Sequence, residues 1–409
     1  MQLQYNNQTL TCDITLPGSK SISNRLLIIQ KLFLKNLAIK NISDAQDTQT
    51  LIQALSQIHS NTKASIHAGE AGTNFRFLCA LLAVTPGQWE LSGSETLMKR
   101  PISNLIIALK KLGADIQIQE NEQNKILING KTLNGGRIEM DANISSQFIS
   151  ALLLIAPAFK NGLQIKLKGS VLSLPYIKMT ISLLQHFGAN IQYHDSVIQI
   201  QNSTLSIPQT EYYVEGDWSS ASYWYSVVAL APAAQIKLFN LHQTSLQGDS
   251  ILKNLFLKLG VHSEFEQAGL KLYKTKMEIE HLELDCSDFP DIAQTLVPCC
   301  FGLGISCSLS GLSTLKNKET HRLLALKNEL TKLGAMVEIN QDSIQLAKNT
   351  APIKNELNIE TYQDHRMAMS FAPLVLKTNS LQISNPEVVN KSYPGFWRDL
   401  KMAGISIIE

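Results

Sequence analysis

The sequence repeats one kind of helix ending at almost constant intervals. Five segments read as an amphipathic helix that stops at a glycine and is followed by a short strand, and these glycines are Gly113, Gly188, Gly260, Gly334 and Gly404. A weaker copy without the glycine spans residues 51–66. Glycine favours the left-handed cap that ends a helix, and the β-branched residues that follow favour a strand. A period of roughly 70 residues is too long for a solenoid and suits a small α/β module, so the pattern predicts six such units.

The length of the chain allows these units to form more than one domain. The 409 residues are 44% hydrophobic and 17% charged, which is ample material for large cores in two or three domains. Six units divide into two sets of three, and residues 214–220 are a candidate crossing point between the halves. We expect a ligand in the cleft between them.

Charge and cysteine usage narrow the functional classes. The net charge of +2, with scattered basic residues, gives no reason to expect nucleic acid as a partner. The six cysteines form no CxxC pair, so we predict no metal site and a reduced, cytosolic protein. The longest apolar runs, 148–159 and 223–234, are too short to span a bilayer and predict buried helices. No signal peptide is recognisable, so we expect no membrane partner.

Residues 16–25, LPGSKSISNR, form the first candidate anion site. A Pro-Gly turn precedes Lys20, Ser21 and Arg25 at the predicted start of a helix, where backbone N–H groups and the helix dipole favour an anion. Arg25 lies one turn beyond Ser21, so both residues can face the same side. The alternative is a capped surface helix with solvated charges.

Cationic and other polar side chains recur near other predicted helix starts. In the first half they are Gly72, Thr73, Arg76, Arg100, Ser145, Ser146, Gln147, Ser173 and Tyr176, and in the second half Asp291, Lys318, Glu319, Arg322, Arg366 and Lys391. Helix capping or surface salt bridges are the alternative for each segment alone. The recurrence of cations at so many helix starts predicts a site for substrates that carry several negative charges.

Taken in order, these segments make the chain resemble the 5-enolpyruvylshikimate-3-phosphate synthase family, the 3-phosphoshikimate 1-carboxyvinyltransferases. The motifs that carry the resemblance are LPGSKSISNR, AGTNFR, MKRPI, SSQF, PYI, VEGDWSSASY, KETHRL and TYQDHRMAMSF. The resemblance implies an α/β fold of two similar domains, each with three βαβαββ repeats in an inside-out α/β barrel, and an active site in the interdomain cleft. One domain would comprise residues 1–18 and 216–409, and the other residues 19–215.

The resemblance also implies a reaction of the shikimate pathway, which leads to aromatic amino acids. The enolpyruvyl group of phosphoenolpyruvate moves to the 5-hydroxyl of shikimate 3-phosphate, phosphate is released, and the path is addition then elimination through a tetrahedral intermediate. No metal or organic cofactor is implied. The only partners implied are these two small molecules, and the protein would be a cytoplasmic monomer.

Residue by residue, the resemblance assigns two binding sets. Shikimate 3-phosphate would be held by Ser21, Arg25, Ser145, Ser146, Gln147, Ser173, Tyr176 and Lys318. Phosphoenolpyruvate would be held by Lys20, Gly72, Thr73, Arg100, Arg322, Arg366 and Lys391. Asp291 would bind the ring hydroxyls and act as the base for the 5-hydroxyl, while Glu319, with Lys20, would transfer the proton at the methylene carbon.

Three residues depart from the family's pattern. Glu70 stands where the family usually has Asn, and Phe77 stands where proline is common. His321 replaces the usual acid of the family's KETDR pattern. A carboxylate at Glu70 should repel an anionic substrate unless it pairs with a cation. Our hypothesis is that Gly72 leaves room for the inhibitor glyphosate, whereas Glu70 and Phe77 reduce its binding. Equal inhibition constants for the wild type and a Glu70→Asn, Phe77→Pro variant would refute it.

Two other functions compete with this interpretation. The enolpyruvyl transferases that act on UDP-N-acetylglucosamine share the fold, but they carry Lys-Asn at the first motif, where this chain has Lys20 and Ser21. They also usually carry a reactive cysteine in a mobile loop. A non-catalytic ligand-binding homologue is the alternative from another class, and the presence of each expected catalytic residue counts against it.

Overall fold

The computed structural model describes residues 1–6, 8–119, 125–142, 145–169, 171–206, 211–267, 269–351, 353–354, 358–378 and 380–408. Its strands are, in chain order, β1 (Gln2–Gln4), β2 (Leu10–Thr15), β3 (Ala38–Lys40), β4 (Thr62–His67), β5 (Gly87–Ser92), β6 (Asp115–Gln119), β7 (Lys125–Gly130), β8 (Gly136–Asp141), β9 (Leu163–Lys168), β10 (Ile191–His194), β11 (Val197–Ile200), β12 (Glu211–Tyr213), β13 (Ala234–Phe239), β14 (Val261–Glu266), β15 (Gly269–Lys274), β16 (His281–Asp285), β17 (Ser306–Ser310), β18 (Val337–Ile339), β19 (Ile344–Leu346), β20 (Asn358–Ile359), β21 (Ser380–Ile383) and β22 (Ser406–Ile408).

The α-helices alternate with these strands. They are α1 (Lys20–Leu32), α2 (Gln46–Ser56), α3 (Gly72–Val84), α4 (Glu95–Met98), α5 (Ser103–Lys111), α6 (Ser146–Ile155), α7 (Leu174–His186), α8 (Trp218–Leu230), α9 (Leu252–Lys258), α10 (Ala293–Leu303), α11 (Arg322–Lys332), α12 (His365–Phe371), α13 (Val375–Thr378) and α14 (Phe396–Met402). Within the described ranges, no helix is long and apolar enough to cross a membrane.

The chain divides into two compact units. The first comprises Met1–Ser19 and Glu215–Glu409, and the second comprises Lys20–Val214. The boundaries expected from the sequence, after residues 18 and 215, differ from these by one residue each.

The first unit contains three sheets of four strands among its described residues, with the orders β14-β15-β13-β2, β16-β17-β19-β18 and β20-β21-β1-β22. In the second of these, β16 and β17 are parallel, and β17–β19 and β19–β18 are antiparallel. Helix α10 connects the parallel strands, and α11 leads to the final hairpin, so the order is βαβαββ. The other two sheets share this pattern, with β2 pairing parallel to β13 and β1 lying between β21 and β22.

The second unit repeats the same pattern with one difference. Its sheets β4-β5-β7-β6 and β10-β11-β9-β8 each combine one parallel and two antiparallel pairs. The remaining sheet pairs β12 with β3 in parallel and has two strands in the part of the chain that the structure describes. After α2 the chain enters β4, which opens the next sheet, instead of a hairpin. Residues 51–66 therefore join two repeats.

The repeated glycines have the conformation that the sequence predicts. Their φ angles lie between +81° and +104°, the left-handed region that favours glycine. At the end of α5 the N–H of Ala114 donates to the carbonyl of Leu109 at 3.0 Å, and the N–H of Gly113 donates to Lys110 at 2.9 Å. These are the two bonds of a Schellman cap, which ends the helix and turns the chain into a strand.

Each unit has its own apolar core around helices that are buried on almost every side. In the second unit these are α3 and α6, and in the first unit α8 and α10. Helices without a polar face belong inside a core. The sequence therefore predicted buried helices correctly in both apolar runs, although residues 156–159 lie beyond the end of α6 and residues 231–234 beyond the end of α8. The polar starts of these helices are the places where candidate site residues collect.

Candidate active site

Arg25, in the second turn of α1, connects three helices of the second unit. Its Nε donates to Thr180 Oγ1 at 2.7 Å, and its Nη1 donates to the Ser21 carbonyl at 2.8 Å. Its Nη2 donates to the Tyr176 carbonyl and to Ser150 Oγ, each at 3.3 Å. Helices α1, α6 and α7 thus meet at one guanidinium. These five residues are named the Arg25 cluster.

The charge of Arg25 is buried among neutral acceptors. The residue is 2% exposed, and its hydrogen bonds within the described residues all go to hydroxyl or carbonyl oxygens. Burial lowers the pKa of Arg25 to about 10. The rings of Phe77 and Tyr176 lie 5.5 and 5.9 Å from the guanidinium carbon and offer weak cation–π contacts. A buried cation is costly without an opposite charge, so this position favours an anionic ligand.

A second group of side chains surrounds the start of α3. Arg76 is 4% exposed, donates to Gln147 Oε1 and donates to the Pro101 carbonyl at 3.0 Å. A Cβ atom at Gly72 would lie 2.5 Å from Arg76 Nη1 and 3.0 Å from Arg100 Cζ. Only glycine therefore lets both guanidinium groups approach this helix start. Gly72, Arg76, Arg100, Pro101 and Gln147 are named the Arg76 cluster.

The other predicted residues of the second unit lie at helix starts. Ser145 caps α6, and its hydroxyl accepts a hydrogen bond from the N–H of Gln147 at 3.4 Å. Ser173 precedes α7 with φ +56°. Lys20 begins α1, and its Nζ lies 2.8 Å from Asp47 Oδ2. The capping interpretation holds for Ser145, whose hydroxyl satisfies one of the N–H groups in the first turn of α6.

The first unit contains a cluster of charges around Arg322, the first residue of α11. Its Nε donates to Asp364 Oδ2 at 2.7 Å, its Nη1 to Asp291 Oδ1 at 2.8 Å, and its Nη2 to Glu319 Oε2 at 2.8 Å. Arg322 is 2% exposed, so this is not the surface salt-bridge network that was the sequence-based alternative.

Two further cations approach Asp291. Lys318 Nζ lies 3.2 Å from Asp291 Oδ1, and Arg366 Nη2 lies 3.6 Å from Asp291 Oδ2. Arg366 is in the first turn of α12, which Asp364 caps by accepting from the N–H of Arg366 at 2.9 Å. Asp291, Lys318, Glu319, Arg322, Asp364 and Arg366 are named the Arg322 cluster.

The charged groups of the Arg322 cluster shift one another's pKa values. Burial alone would raise the pKa of Asp291, but Lys318, Arg366 and Arg322 hold it far below its usual range. Burial lowers the pKa of Lys318, partly opposed by Asp291. Burial would also lower the pKa of Arg322, but the three carboxylates around it raise that pKa instead. Asp291 is therefore a firmly ionised carboxylate in the protein without ligands.

The structure brings most predicted residues into these clusters. Ser21, Arg25 and Tyr176 meet in the first, Gly72, Arg100 and Gln147 in the second, and Asp291, Lys318, Glu319, Arg322 and Arg366 in the third. Lys391 ends a 3₁₀ turn, Pro386–Lys391, that packs against α12. Thr73 follows Gly72 in the first turn of α3, and Ser146 begins α6.

Two acidic residues that pair with predicted cations were absent from the predicted site: Asp364, which pairs with Arg322, and Asp47, which pairs with Lys20. Arg76 was a candidate from the sequence without an assigned substrate, and it joins the start of α6 to the loop before α5. The sequence did contain a signal for Asp364, since it stands two positions before Arg366 at a predicted helix start. Asp47 carried no signal of this kind.

Comparison with known proteins identifies the family of the chain. A sequence profile described as EPSP synthase (3-phosphoshikimate 1-carboxyvinyltransferase) matches residues 5–65 and 56–400. A 3-phosphoshikimate 1-carboxyvinyltransferase from Bacteroides fragilis is 44% identical over 403 residues, covering 96% of this chain and 95% of that protein. One from Shewanella denitrificans is 32% identical over 425 residues, covering 97% and 98%.

Solved structures show the same fold. An EPSP synthase from Acinetobacter baumannii matches with a TM-score of 0.77 at 19% identity, over 100% of both chains. An enolpyruvyl transferase from Streptomyces tendae matches with a TM-score of 0.74 at 13% identity, over 99% of this chain and 97% of that one. The two-domain α/β fold expected from the sequence is thereby confirmed, and this chain belongs to the EPSP synthase (3-phosphoshikimate 1-carboxyvinyltransferase) family.

Proposed function

We propose that this protein transfers the enolpyruvyl group of phosphoenolpyruvate to the 5-hydroxyl of shikimate 3-phosphate and releases phosphate. This is a transferase reaction of the shikimate pathway toward chorismate and the aromatic amino acids. The observation that carries the proposal is the Arg25 guanidinium, which is buried among neutral acceptors in a chain of this family.

The Arg25 cluster supports binding of shikimate 3-phosphate. A dianionic phosphate beside Arg25 would supply the opposite charge that its buried surroundings lack, and charge-assisted hydrogen bonds of this kind are among the strongest in proteins. The hydroxyls of Ser21, Ser145, Ser146 and Ser173, the amide of Gln147, the phenol of Tyr176 and the ammonium of Lys318 complete the proposed site.

The cations of the other two clusters support binding of phosphoenolpyruvate. Arg100 lies at the start of α3 beside Gly72, where Thr73 and the N–H groups of the first turn add donors. Arg322, Arg366 and Lys391 in the first unit, together with Lys20 in the second, provide the remaining positive charges. A substrate with a phosphate and a carboxylate needs several such groups.

The proposed chemistry begins with addition. Asp291 takes the proton of the 5-hydroxyl as its oxygen bonds to C2 of phosphoenolpyruvate, and Glu319, with Lys20, delivers a proton to the methylene carbon. In the elimination step Glu319 takes a proton back from the new methyl group, the double bond re-forms, and the C2–O bond to phosphate breaks so that phosphate leaves. Cations at the phosphate stabilise the charge that develops on it as it leaves.

Asp291 needs its surroundings to change before it can act as a base. Its pKa is held low by Lys318, Arg366 and Arg322, and a carboxylate with a low pKa is a weak base. Anionic substrates that engage these cations would weaken their hold on Asp291 and raise its pKa toward the working range. Substrate binding and activation of the base are thus coupled.

The first test is phosphate release by the purified protein with a metal chelator present. Release that requires both substrates supports the proposal, and release with UDP-N-acetylglucosamine in place of shikimate 3-phosphate would identify the alternative enolpyruvyl transferase. Binding of both substrates without turnover would identify a non-catalytic homologue.

A variant at Arg25 tests the observation on which the proposal rests, the buried guanidinium. Arg25→Gln should weaken shikimate 3-phosphate binding by roughly a hundredfold, as expected for a charge-assisted contact in a buried site. Arg137→Gln, at an exposed arginine of the same unit, is the matched control and should leave the affinity unchanged. Calorimetric titration measures both, and equal affinities for the wild type and Arg25→Gln would contradict the proposed substrate site.

We also propose that the protein is located in the cytoplasm and is a monomer. All six cysteines are unpaired, which fits a reducing compartment. Light scattering on the eluting protein, with and without both substrates, should give the mass of one chain, and a dimer mass would overturn this part of the proposal.

A further inference from the structure

Asp249 is a buried acid that the proposed chemistry does not use. It lies in the 3₁₀ turn Gly248–Ile251 and is 5% exposed. The preceding Gln247 attaches this turn to the start of α8, since its Nε2 donates to the Gly216 carbonyl at 2.8 Å and its Oε1 accepts from the N–H of Trp218 at 3.0 Å. Hydrogen bonds between the Gln247 side chain and the backbone at the start of α8 therefore fix the position of this turn, and with it Asp249, relative to α8.

Ser219 links Asp249 to Arg366. The Ser219 hydroxyl donates to Asp249 Oδ2 and accepts from Arg366 Nη2 at 3.2 Å. A hydroxyl has one proton to donate, and Ser219 uses it in the hydrogen bond to the Asp249 carboxylate. The lone pairs of Ser219 Oγ are therefore free to accept from the Arg366 guanidinium. In this hydrogen bond between α12 and α8, Arg366 is always the donor and Ser219 the acceptor.

The surroundings of Asp249 act on its charge in opposite directions. Burial raises the pKa of Asp249 to about 6, and Arg366 opposes that rise. Asp291 and Asp217 also face Asp249 and disfavour its charge. The acidic neighbours of the Arg366 guanidinium include Asp291 at 3.6 Å and Asp249 through the hydroxyl.

We propose that Asp249 acts through Ser219 as a positioning residue that holds the Arg366 guanidinium in place for phosphoenolpyruvate. Asp291 cannot serve as the permanent anchor, because in the proposed reaction it binds the other substrate and takes a proton. The link through Ser219 stays intact while that happens. This inference rests on the proposed function, in which Arg366 binds phosphoenolpyruvate.

Steady-state kinetics of Ser219→Ala, Asp249→Ala and the double variant test the inference. Each single variant should raise KM for phosphoenolpyruvate about tenfold, which is typical for loss of one hydrogen bond to a charged group. KM for shikimate 3-phosphate should stay within about twofold. The double variant should resemble the singles, since both changes break one link and their effects cannot add.

Two further variants distinguish a positioning role of Ser219 from a non-specific disturbance of the structure around α8. Ser222→Ala removes another buried hydroxyl of α8, which contacts Thr295 and the Ser219 carbonyl, and should leave both KM values unchanged. Ser219→Thr keeps the hydroxyl and should restore most of the affinity. Additive effects in the double variant, or an equal rise in Ser222→Ala, would overturn the inference.

The proposed function and the inference can fail separately. If the wild-type protein shows no transfer activity, the proposed function fails, and calorimetric titration of phosphoenolpyruvate then replaces KM as the measurement on the same variants. An unchanged dissociation constant in Ser219→Ala and Asp249→Ala would overturn the positioning role in either case.

Discussion

Replacing Asp249 by Asn measures what a buried carboxyl costs the fold. Burial raises its pKa from 3.8 to about 6, so the folded protein disfavours the ionised form. One pKa unit corresponds to about 1.36 kcal/mol, and a rise of about two units gives about 3 kcal/mol. By linkage this cost is absent below about pH 4, where the group is protonated in both states, and it is complete above about pH 6. Asn has the same shape, carries no charge and keeps an acceptor for Ser219.

Scanning calorimetry at pH 4 and pH 8 provides the assay. At pH 8 the variant should be more stable by up to about 3 kcal/mol, which raises the melting temperature of a unit of about 200 residues by about 6 °C or more. At pH 4 the two proteins should melt together. Asp342→Asn, at an exposed position of the same unit, is the control and should show no pH-dependent difference. A variant that is equally or less stable than the wild type at pH 8 would refute the reasoning.

Three other substitutions give distinct outcomes. Gly72→Ala places a Cβ 2.5 Å from Arg76 Nη1, so KM for phosphoenolpyruvate should rise about tenfold in steady-state assays; an unchanged KM would show that the two arginines can move aside. Gly113→Ala meets open space but keeps φ +98°, so denaturant titration should show a loss of about 1 kcal/mol from strain alone, and no loss would contradict that origin. Glu70→Asn should lower the inhibition constant of glyphosate if the carboxylate repels anions, and equal constants would remove that hypothesis.

The fold was predictable because its signal is local. A Schellman cap favours glycine at one position, whatever the distant parts of the chain do, so Gly113 and its four counterparts mark the second helix of each repeat that forms a four-stranded sheet. The two-stranded sheet of β3 and β12 was not predictable in the same way. Its strands are far apart in sequence, and residues 51–66 combine the helix of one repeat with the first strand of the next.

Candidate residues could be identified from the sequence where a charged side chain stands near a helix start, as Arg25, Arg322 and Arg366 do. Their partners depend on tertiary contacts that no local pattern encodes. Asp249 lies in a short turn without any motif, and only the docking of that turn on α8 brings it to Ser219 and Arg366. The assignment of substrate and proton-transfer roles to individual residues stays a prediction.

The pairing of β2 with β13 has a consequence for synthesis of the protein. Ile14 lies opposite Leu238, and the whole of the second unit is encoded between them. Because chains emerge from the ribosome from the N-terminus, the second unit can fold while β1 and β2 still lack partners. Exposed strands of this kind are prone to wrong pairing. A circular permutant that carries Met1–Ser19 after β22 would make the first unit continuous, and β1 already lies beside β22, with Gln2 opposite Ile408.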